Sequence, residues 1–446
     1  MIRGEMVFAF AVMSAAVLWA AGMGRGDSPN AGGIQIAADK TEVGEGQNVI
    51  INAKVEGATA ASHSSILQAQ VDGKDWGASY PILPTGVAQL VLPLPETGLR
   101  TITVTDGKSL SNSVTVQVDP RHFDIIDDPH HLVIMEYETW FGPGYAQWGS
   151  EEATPLLGHY SSLDSRVLRQ QALWFNDMGF NAVELDWTNN LNVPFPGPAA
   201  KECIAATDQL LQVYSTMTQH PKVMFLMGPE NNSWNSIKDV YAGPRFQEQM
   251  NYIYDHYINN PKYRDMMVTY EGKPLVLRYL NGPNPGPPPD AGDPRFTTRY
   301  VSAWLQVEHA EKYGVWSWYD QVATPTNHHG KVEALTVTDG YPSETNAVSP
   351  TGDNSWEMQS AGGKNLGETY RTQWEVAMQA KPQFLFVNQW NEFVPPDQYN
   401  VNLSNDMEPT LLTEKGDARA SGWGFTYLDL TREEIAAYHR KIEEMR

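Results

Sequence analysis

The chain has 446 residues and a formal net charge of −22 at pH 7, with hydrophobic residues at 41% and aromatic residues at 11%. This length fits more than one domain, and the acidity argues against binding to nucleic acid or to an anionic membrane surface. The single cysteine, Cys203, excludes an intramolecular disulfide. The 14 Trp and 20 Tyr favour a carbohydrate partner, because aromatic faces stack on sugar rings.

Residues 1–24 have the pattern of a secretory signal peptide. Arg3 supplies a positive start, residues 8–21 form an apolar run, and small residues around Ala20 and Gly22 offer cleavage sites. The apolar run is shorter than the roughly 20 residues that a membrane span needs. We therefore expect a secreted or periplasmic protein, with no stable membrane insertion after the signal is cleaved.

Residues 25–119 predict a β-sandwich domain of the immunoglobulin-like type without its cysteine pair. Apolar residues recur at every second position in short segments separated by Gly, Asp and Pro. The six segments are residues 34–37, 49–55, 66–71, 88–92, 100–104 and 113–118. The domain is either a spacer beside the catalytic body or a carbohydrate-binding module. Residues 120–131 form an acidic, Pro-punctuated linker.

From residue 132 onward, apolar strand patterns alternate with amphipathic helix patterns. Strands are predicted at residues 132–138, 181–186, 223–227, 275–279, 300–305, 314–318, 335–338 and 384–387. Helices are predicted at residues 165–178, 206–217, 246–257 and 370–379. This alternation predicts an α/β fold, a (β/α)8 TIM barrel over residues 132–446. A doubly wound sheet is the alternative, and the lack of a Gly-rich phosphate loop counts against it.

Polar and aromatic side chains follow or end most of the predicted barrel strands. Because the C-terminal ends of barrel strands face one cleft, we expect these side chains to lie around a common site. The candidates are Glu138, Trp140, Glu184, Asp186, Trp187, Glu230, Asn231, Arg278, Tyr279, Trp318, Asp320, Asp339, Asn388, Gln389, Trp390, Asn391 and Glu392. Carboxylates and amides bind sugar hydroxyls and indoles stack on sugar rings, so the set predicts a polysaccharide or oligosaccharide substrate.

Glycoside hydrolysis commonly uses two carboxyl groups that flank the scissile bond, and this set offers several. We predict neither a metal nor a cofactor, since the sequence has no zinc-binding His motif. A lyase or esterase has little support, because neither a metal site nor a nucleophilic Ser elbow is evident. An anionic substrate would need a local basic patch, for which Arg278, Arg295 and Arg299 are the candidates.

Three segments together resemble glycoside hydrolase family 99, the endo-α-mannosidase and mannanase group. Residues 137–148 resemble the family's first strand end, Tyr-x-x-Trp-Tyr-Gly-Asn-Pro followed by a His-Trp pair. Residues 155–187 resemble its Gly-x-Tyr-Ser-Ser-x-Asp segment and second strand. Trp390-Asn391-Glu392 and residues 405–409 resemble its Asn-Glu-Trp-His-Glu-Gly and Ile-Glu-Pro elements. The resemblance spans residues 132–430.

The resemblance places Glu392 on the family's first catalytic glutamate, which is thought to deprotonate a sugar 2-hydroxyl. The family's general acid, three residues later, is Pro395 here, and its first-strand His is Gln147. The family mechanism and α-mannan specificity are therefore not transferred, and another acid must serve. The candidates for it are Glu138, Asp186, Glu230, Asp397 and Glu408.

We predict a glycoside hydrolase with Glu392, Asp186 and Glu230 as catalytic residues and the remaining strand-end residues as substrate-binding groups. The rival hypothesis is a non-catalytic carbohydrate-binding protein on a degenerate hydrolase barrel, and Pro395 is the feature that favours it.

Overall fold

The computed structural model describes residues 33–57, 66–142, 148–149, 151, 153–188, 198–228, 244–280, 292–303, 312–319, 323–328, 330–340, 367–393, 406–412 and 422–444. The predicted signal peptide, residues 1–24, lies outside them. In the described part of the chain, none of the helices has the length and apolar character needed to cross a bilayer.

The N-terminal region folds into two β-sheets that pack face to face. Its strands are β1 (Ile34–Ala38), β2 (Glu42–Gly44), β3 (Asn48–Val55), β4 (Ile66–Val71), β5 (Lys74–Pro81), β6 (Val87–Pro93), β7 (Gly98–Thr105) and β8 (Val114–Asp119). The sheet orders are β1-β3-β6 and β2-β8-β7-β4-β5. The two sheets are joined across the core where Trp76 Nε1 donates to Pro93 O at 2.6 Å and Tyr80 OH donates to Val91 O at 2.8 Å.

The remaining strands form one nearly closed barrel. They are β9 (Leu132–Tyr137), β10 (Ala182–Trp187), β11 (Lys222–Met227), β12 (Thr269–Tyr270), β13 (Lys273–Tyr279), β14 (Thr297–Ala303), β15 (Trp316–Tyr319), β16 (Thr326–His328), β17 (Lys331–Thr338) and β18 (Phe384–Asn388). Nine of them lie on one path, β15-β14-β13-β11-β10-β9-β18-β17-β16, and β12 pairs with β13. Along the path all neighbours are parallel except β16 and β17. Thr336 Oγ1 of β17 donates to Ser317 O of β15 at 2.5 Å. This hydrogen bond spans the gap between the two ends of the strand path.

Five α-helices accompany the barrel in the described residues: α1 (Ser165–Met178), α2 (Pro198–Tyr214), α3 (Pro244–Ile253), α4 (Glu368–Ala380) and α5 (Thr426–Glu443). A π-helical turn (Tyr254–Ile258) continues α3, and a short 3-10 helix (Arg264–Met266) follows it. Helix α1 has the bounds that its sequence predicts. The Asp164 side chain caps its N-terminus by accepting from Arg166 N, and Gly179 ends it with φ 96°. The structure thus confirms the alternation of strands and helices, while the full (β/α)8 count remains a prediction.

Both faces of the barrel strands are buried, and the alternation of side chains along each strand separates them. Ile134, Leu226 and Phe386 belong to the cluster inside the barrel. Val133 and Leu185, which point the opposite way, belong to the larger core that the helices cover. A side chain at a strand end therefore enters the cleft only if it has the inward phase.

Five elements were not predicted: β2, β5, β12, β16 and α5. Strand β5 contains Lys, Asp and Gly, which strands usually avoid, and it forms by pairing with β4. Helix α5 is rich in charged residues and is held by burial of one face, including Tyr427, Ile435 and Tyr438. In both cases tertiary pairing outweighs local propensity.

The two-sheet region packs directly against the barrel. Ala78 N donates to Leu156 O at 3.0 Å, and Gln170 Nε2 donates to Gly46 O at 3.0 Å. The backbones approach so closely that a Cβ on Gly158 would lie 2.8 Å from Gly77 O, and Gly158 also has φ 75°. Glycine is therefore required at this contact.

Candidate active site

Four carboxyl groups converge at the C-terminal ends of β9 and β10. Glu136 lies opposite Glu184 in the register of the two strands, and Glu138 and Asp186 follow two residues later on each. All four are buried, with exposed fractions of at most 6%. One oxygen from each of Glu136, Glu138 and Asp186 lies within 4.8 Å of the other two. Burying charges this close together disfavours their simultaneous ionisation.

Glu136 is held by donors from two other strands. Trp318 Nε1 on β15 donates to its Oε1 at 2.7 Å, and the Asn388 side-chain amide on β18 donates to its Oε2. Burial nevertheless raises the pKa of Glu136 well above its usual value, and the charges of Glu184, Asp186 and Glu392 raise it further. Both oxygens of Glu136 are thus engaged at the floor of the cleft.

Glu138 and Asp186 form a hydrogen-bonded pair above this floor. Burial raises the pKa of Glu138 well above its usual value, followed by the charges of Asp186, Glu392 and Glu136 and by the bond to Asp186. Burial also raises the pKa of Asp186, but Thr188 N, which donates to Asp186 Oδ1 at 2.5 Å, and the bond from Glu138 lower it. The directions of these shifts favour Glu138 as the group that holds the proton and Asp186 as the acceptor of the hydrogen bond.

The segment after β18 supplies Glu392 and the amides that orient Glu138. Glu392 is half-buried, and its backbone N–H donates to Asp406 Oδ1. Its charge raises the pKa of both Glu136 and Glu138, which places it within electrostatic reach of the cluster. Gln389 Nε2 donates to Glu138 Oε1 at 3.1 Å, and the Asn388–Gln389 peptide bond is cis.

Asn391 links the Glu138 backbone to a buried polar network. Its Oδ1 accepts from Glu138 N at 2.9 Å, and its Nδ2 donates to Glu138 O at 3.2 Å and to Tyr160 OH at 3.1 Å. Tyr160 OH in turn donates to Glu408 Oε2 at 2.6 Å, and Gln171 Nε2 donates to Glu408 Oε1 at 3.3 Å. Burial raises the pKa of Glu408 to about 8. Glu408 thus lies behind the cleft as a support for Asn391 and Tyr160.

Two half-buried aromatic rings adjoin the carboxyl cluster. Tyr279 and Trp318 meet edge to face, with ring centroids 5.0 Å apart. Burial raises the pKa of Tyr279, and the charges of Asp186, Glu136 and Glu392 raise it further, so its hydroxyl lies close to the same groups. These rings supply apolar surface beside the acids.

Four of the sequence-predicted site residues lie outside the barrel interior. Trp187 packs under the helices, where its Nε1 donates to Thr207 Oγ1 at 3.2 Å. Trp390 packs against Phe175, with ring centroids 4.8 Å apart. The other two are Arg278, whose guanidinium lies 3.6 Å from the centre of the Phe246 ring, and Asp339, whose charge acts on Tyr370 of α4. Trp187, Arg278 and Asp339 have the outward phase of their strands, whereas Trp390 lies beyond the end of β18 and packs into the outer core. These placements do not support the cleft-lining roles predicted for the four residues.

The structure joins Glu138, Glu184, Asp186, Tyr279, Trp318, Asn388, Gln389, Asn391 and Glu392 in one site. Trp140 is buried beside Phe141, with ring centroids 6.4 Å apart. Glu230, Asn231 and Asp320 lie outside the described residues, as do Gln147, Pro395 and Asp397.

The basic patch proposed for an anionic substrate does not form at Arg295 or Arg299. Arg295 pairs with Asp293, with Nη2 and Oδ2 2.6 Å apart, and Arg299 pairs with Glu333, with Nε and Oε2 2.8 Å apart. Arg278 has the outward phase described above and its Nη1 donates to Tyr300 OH at 2.8 Å. These three arginines therefore do not counter the carboxyl groups of the cleft.

Glu136 and Tyr160 belong to this site although neither was among the predicted site residues. Glu136 had a signal in the sequence, since a carboxylate inside an otherwise apolar barrel strand is rarely structural without a partner. Tyr160 is the tyrosine of the segment that resembles Gly-x-Tyr-Ser-Ser-x-Asp, but its contacts with Asn391 and Glu408, each more than 200 positions away in the chain, follow from no local pattern.

The arrangement can supply a neutral acid and an ionised carboxylate within one cleft. The raised pKa of Glu138 suits it to donate a proton, and Glu392 and Asp186 are acidic groups within electrostatic reach of it. The spacing of Glu136, Glu138 and Asp186 is also one at which oxygen ligands surround a hard cation. Acid–base chemistry on a polar substrate is the simpler use of this arrangement.

Comparison with known proteins gives structural likeness only. No family model matches the sequence, and no curated protein matches it. A solved structure of an endo-α-mannosidase of family 99 from Bacteroides thetaiotaomicron, in complex with bis-tris-propane, aligns over 71% of this chain and 99% of its own, with 17% identity and a TM-score of 0.50. A second structure of that enzyme aligns at 16% identity and a TM-score of 0.48.

A glycoside hydrolase-like protein aligns over 71% of this chain and 96% of its own, with 14% identity and a TM-score of 0.45. At these identities the first of the three likenesses shows a family-99-like fold for this chain and says nothing by itself about its reaction.

Proposed function

We propose that this protein is a secreted or periplasmic glycoside hydrolase that cleaves an O-glycosidic bond in a polysaccharide or glycan. One observation carries the proposal: a hydrogen-bonded Glu138–Asp186 pair within electrostatic reach of Glu392 at the C-terminal ends of barrel strands. Glycosidic cleavage needs a carboxylic acid that stays protonated at neutral pH together with a second carboxylate.

In this mechanism Glu138 is the general acid. Its burial and its acidic neighbours keep it protonated, and its proton passes to the leaving-group oxygen as the glycosidic bond breaks. Asp186, already hydrogen-bonded to Glu138, fixes the orientation of that carboxyl group. Glu392, on the segment after β18, acts on the sugar as the base or nucleophile. Glu230 remains a predicted partner on the same cleft.

Substrate binding falls to the remaining inward-facing groups. The rings of Tyr279 and Trp318 offer apolar faces to a sugar. The side-chain amides of Asn388 and Gln389 orient the carboxyl groups of Glu136 and Glu138, respectively. Glu184 and Glu136 form the floor. Within the proposal the barrel is of the (β/α)8 type and residues 25–119 form an immunoglobulin-like domain that accompanies it.

A polysaccharide panel with product analysis tests the proposal. The wild type should release shorter glycans from at least one substrate, and Glu392→Gln should lower kcat by about 10²-fold or more with the melting temperature unchanged. Glu375→Gln, at an exposed position on α4, is the matched control and should leave turnover unaltered. Turnover retained in Glu392→Gln would show that the catalytic assignment is wrong.

The same panel separates the rival function. Sugar binding by calorimetry without product from any substrate would identify a carbohydrate-binding protein on a hydrolase-like barrel and end the hydrolase proposal. The raised pKa of Glu138 beside Glu392 favours the enzyme, because binding alone does not require a carboxyl group with a raised pKa.

A further inference from the structure

The floor of the cleft contains one carboxyl group that lacks a partner. Glu184 is 1% exposed, and its Oε1 has no hydrogen-bond partner in the described structure. Its register neighbour Glu136 has both oxygens engaged, by Trp318 and by Asn388. A buried carboxyl oxygen without a donor is costly, so this atom is suited to a donor that arrives with a ligand.

The charge around Glu184 determines which donor fits best. Glu136 and Asp186 lie within electrostatic reach of Glu184, and one oxygen of Glu138 lies within 4.8 Å of an oxygen of each of those two residues. No Lys or Arg of the described residues pairs with any of the four carboxyls. A sugar hydroxyl would donate the missing hydrogen bond to Glu184 Oε1 but would not offset the negative charge of the neighbouring carboxylates. A cationic donor would satisfy both, because it interacts favourably with every carboxylate in reach.

The aromatic rings beside the acids point in the same direction. Tyr279 and Trp318 are half-buried and meet edge to face at 5.0 Å, and Trp318 also donates to Glu136. Carboxylates combined with aromatic faces are the chemistry that recognises ammonium groups, through ion pairing and cation–π attraction. The C–H face of a sugar ring can stack on the same rings.

We propose that the glycan unit bound at this floor carries a protonated amino group, which pairs with Glu184 Oε1. The substrate class is then an amino-sugar glycan with free amines, as opposed to an N-acetylated, uronic or sulfated one. This inference rests on the proposed function for its setting, since it assigns a substrate class to the same cleft. The paired arginines Arg295 and Arg299 are consistent with it, because the cleft gains no basic group from them for an anionic sugar.

The test is a binding experiment that does not depend on turnover. Calorimetry at pH 6 compares the 2-amino hexoses of gluco, galacto and manno configuration with their N-acetyl counterparts, which have the same ring and no charge. We expect at least one free amine to bind about 10-fold or more tightly than its N-acetyl partner. Equal affinities in all three pairs would overturn the proposal, whatever the variants do.

Two variants then assign the effect. Glu184→Gln keeps the size of the side chain and removes its ionisable group, so it should abolish the preference for the amine, while Glu375→Gln should retain it. A preference that survives Glu184→Gln would overturn the assignment to Glu184. A calcium titration of the wild type completes the set, since tight binding of Ca²⁺ that displaces the amine would identify a metal site instead.

Failure here and failure of the hydrolase proposal are distinguishable. Amine binding with no product from any glycan leaves the inference standing and removes the enzyme. Turnover of neutral or N-acetylated glycans with no amine preference leaves the enzyme and removes the inference.

Discussion

Both ends of the barrel contain buried carboxylates, but only those at the N-terminal end have a cationic partner among the described residues. At the N-terminal end, Glu333 of β17 accepts from Arg299 Nε and Nη2, both at 2.8 Å, from Trp316 Nε1 at 3.0 Å and from Tyr270 OH at 2.7 Å. At the C-terminal end, Glu136, Glu138, Glu184 and Asp186 have no cationic partner among the described residues.

The difference separates a stabilising site from a reactive one. A buried carboxylate with a cation and several donors stays ionised and has no reason to exchange its proton. Carboxyls buried together without a cation hold protons at neutral pH, so they can give them to a substrate. Barrel enzymes place chemistry at the C-terminal end and stability at the other, and the proposed function assigns the two groups of carboxylates in this protein to the same ends.

The largest effect that would sharpen this comparison is expected at Glu138. Glu138→Gln keeps the bond from Gln389 and removes the transferable proton, so kcat should fall by about 10²-fold to 10⁴-fold while the melting temperature changes little. The loss of wild-type activity as pH rises through the raised pKa of Glu138 should disappear from the residual activity of the variant. Full activity in the variant would mean that the acid lies elsewhere in the cleft.

At the N-terminal end of the barrel, we expect a substitution to lower stability and leave activity unchanged. Glu333→Gln leaves Arg299 without its buried counter-charge and should lower the free energy of unfolding by about 3 kcal/mol or more, with kcat of the folded protein unchanged. Glu271→Gln is the matched control, because Glu271 pairs with the same Arg299 at 3.3 Å but its side chain is 55% exposed. It should cost about 1 kcal/mol or less. Denaturant unfolding measures both, and equal losses would contradict the distinction between the two pairs.

A smaller, pH-dependent effect on stability is expected at Glu408, a buried carboxyl group that accepts from two neutral donors, Tyr160 and Gln171. Burial raises its pKa to about 8 from an ordinary value of 4.5, so the folded state binds its proton more tightly than the unfolded state. The stabilisation from this proton is fully present below about pH 4.5 and is lost as pH rises to about 8. Glu408→Gln should remove this part of the loss.

Melting temperatures of the wild type and Glu408→Gln at pH 5 and pH 8 provide the measurement. The fall between the two pH values should be smaller in the variant. An identical fall in both proteins would show that other groups account for the pH dependence of stability.

Much of the fold could be predicted from the sequence. The bounds of α1 follow from its cap residues and its apolar periodicity, and β10, β11 and β18 follow from short apolar runs. Strand β5 and helix α5 could not be predicted in this way. Strand β5 forms by hairpin pairing with β4 in spite of its composition, and α5 is held by the face that it buries. The strand-end clustering of Glu138, Asp186 and Glu392 was also expected, since parallel strands end at the same rim.

The sequence by itself determined which side chains stand at the strand ends, and hence the acidic and aromatic character of the cleft. Only the tertiary structure decided which of them face it. In a barrel strand both faces are buried, so the apolar pattern does not tell the inward face from the outward one. Asp186 and Trp187 are adjacent in sequence, yet one enters the cluster and the other packs under the helices. The missing partner of Glu184 likewise depends on side chains brought from other strands, which no local pattern specifies.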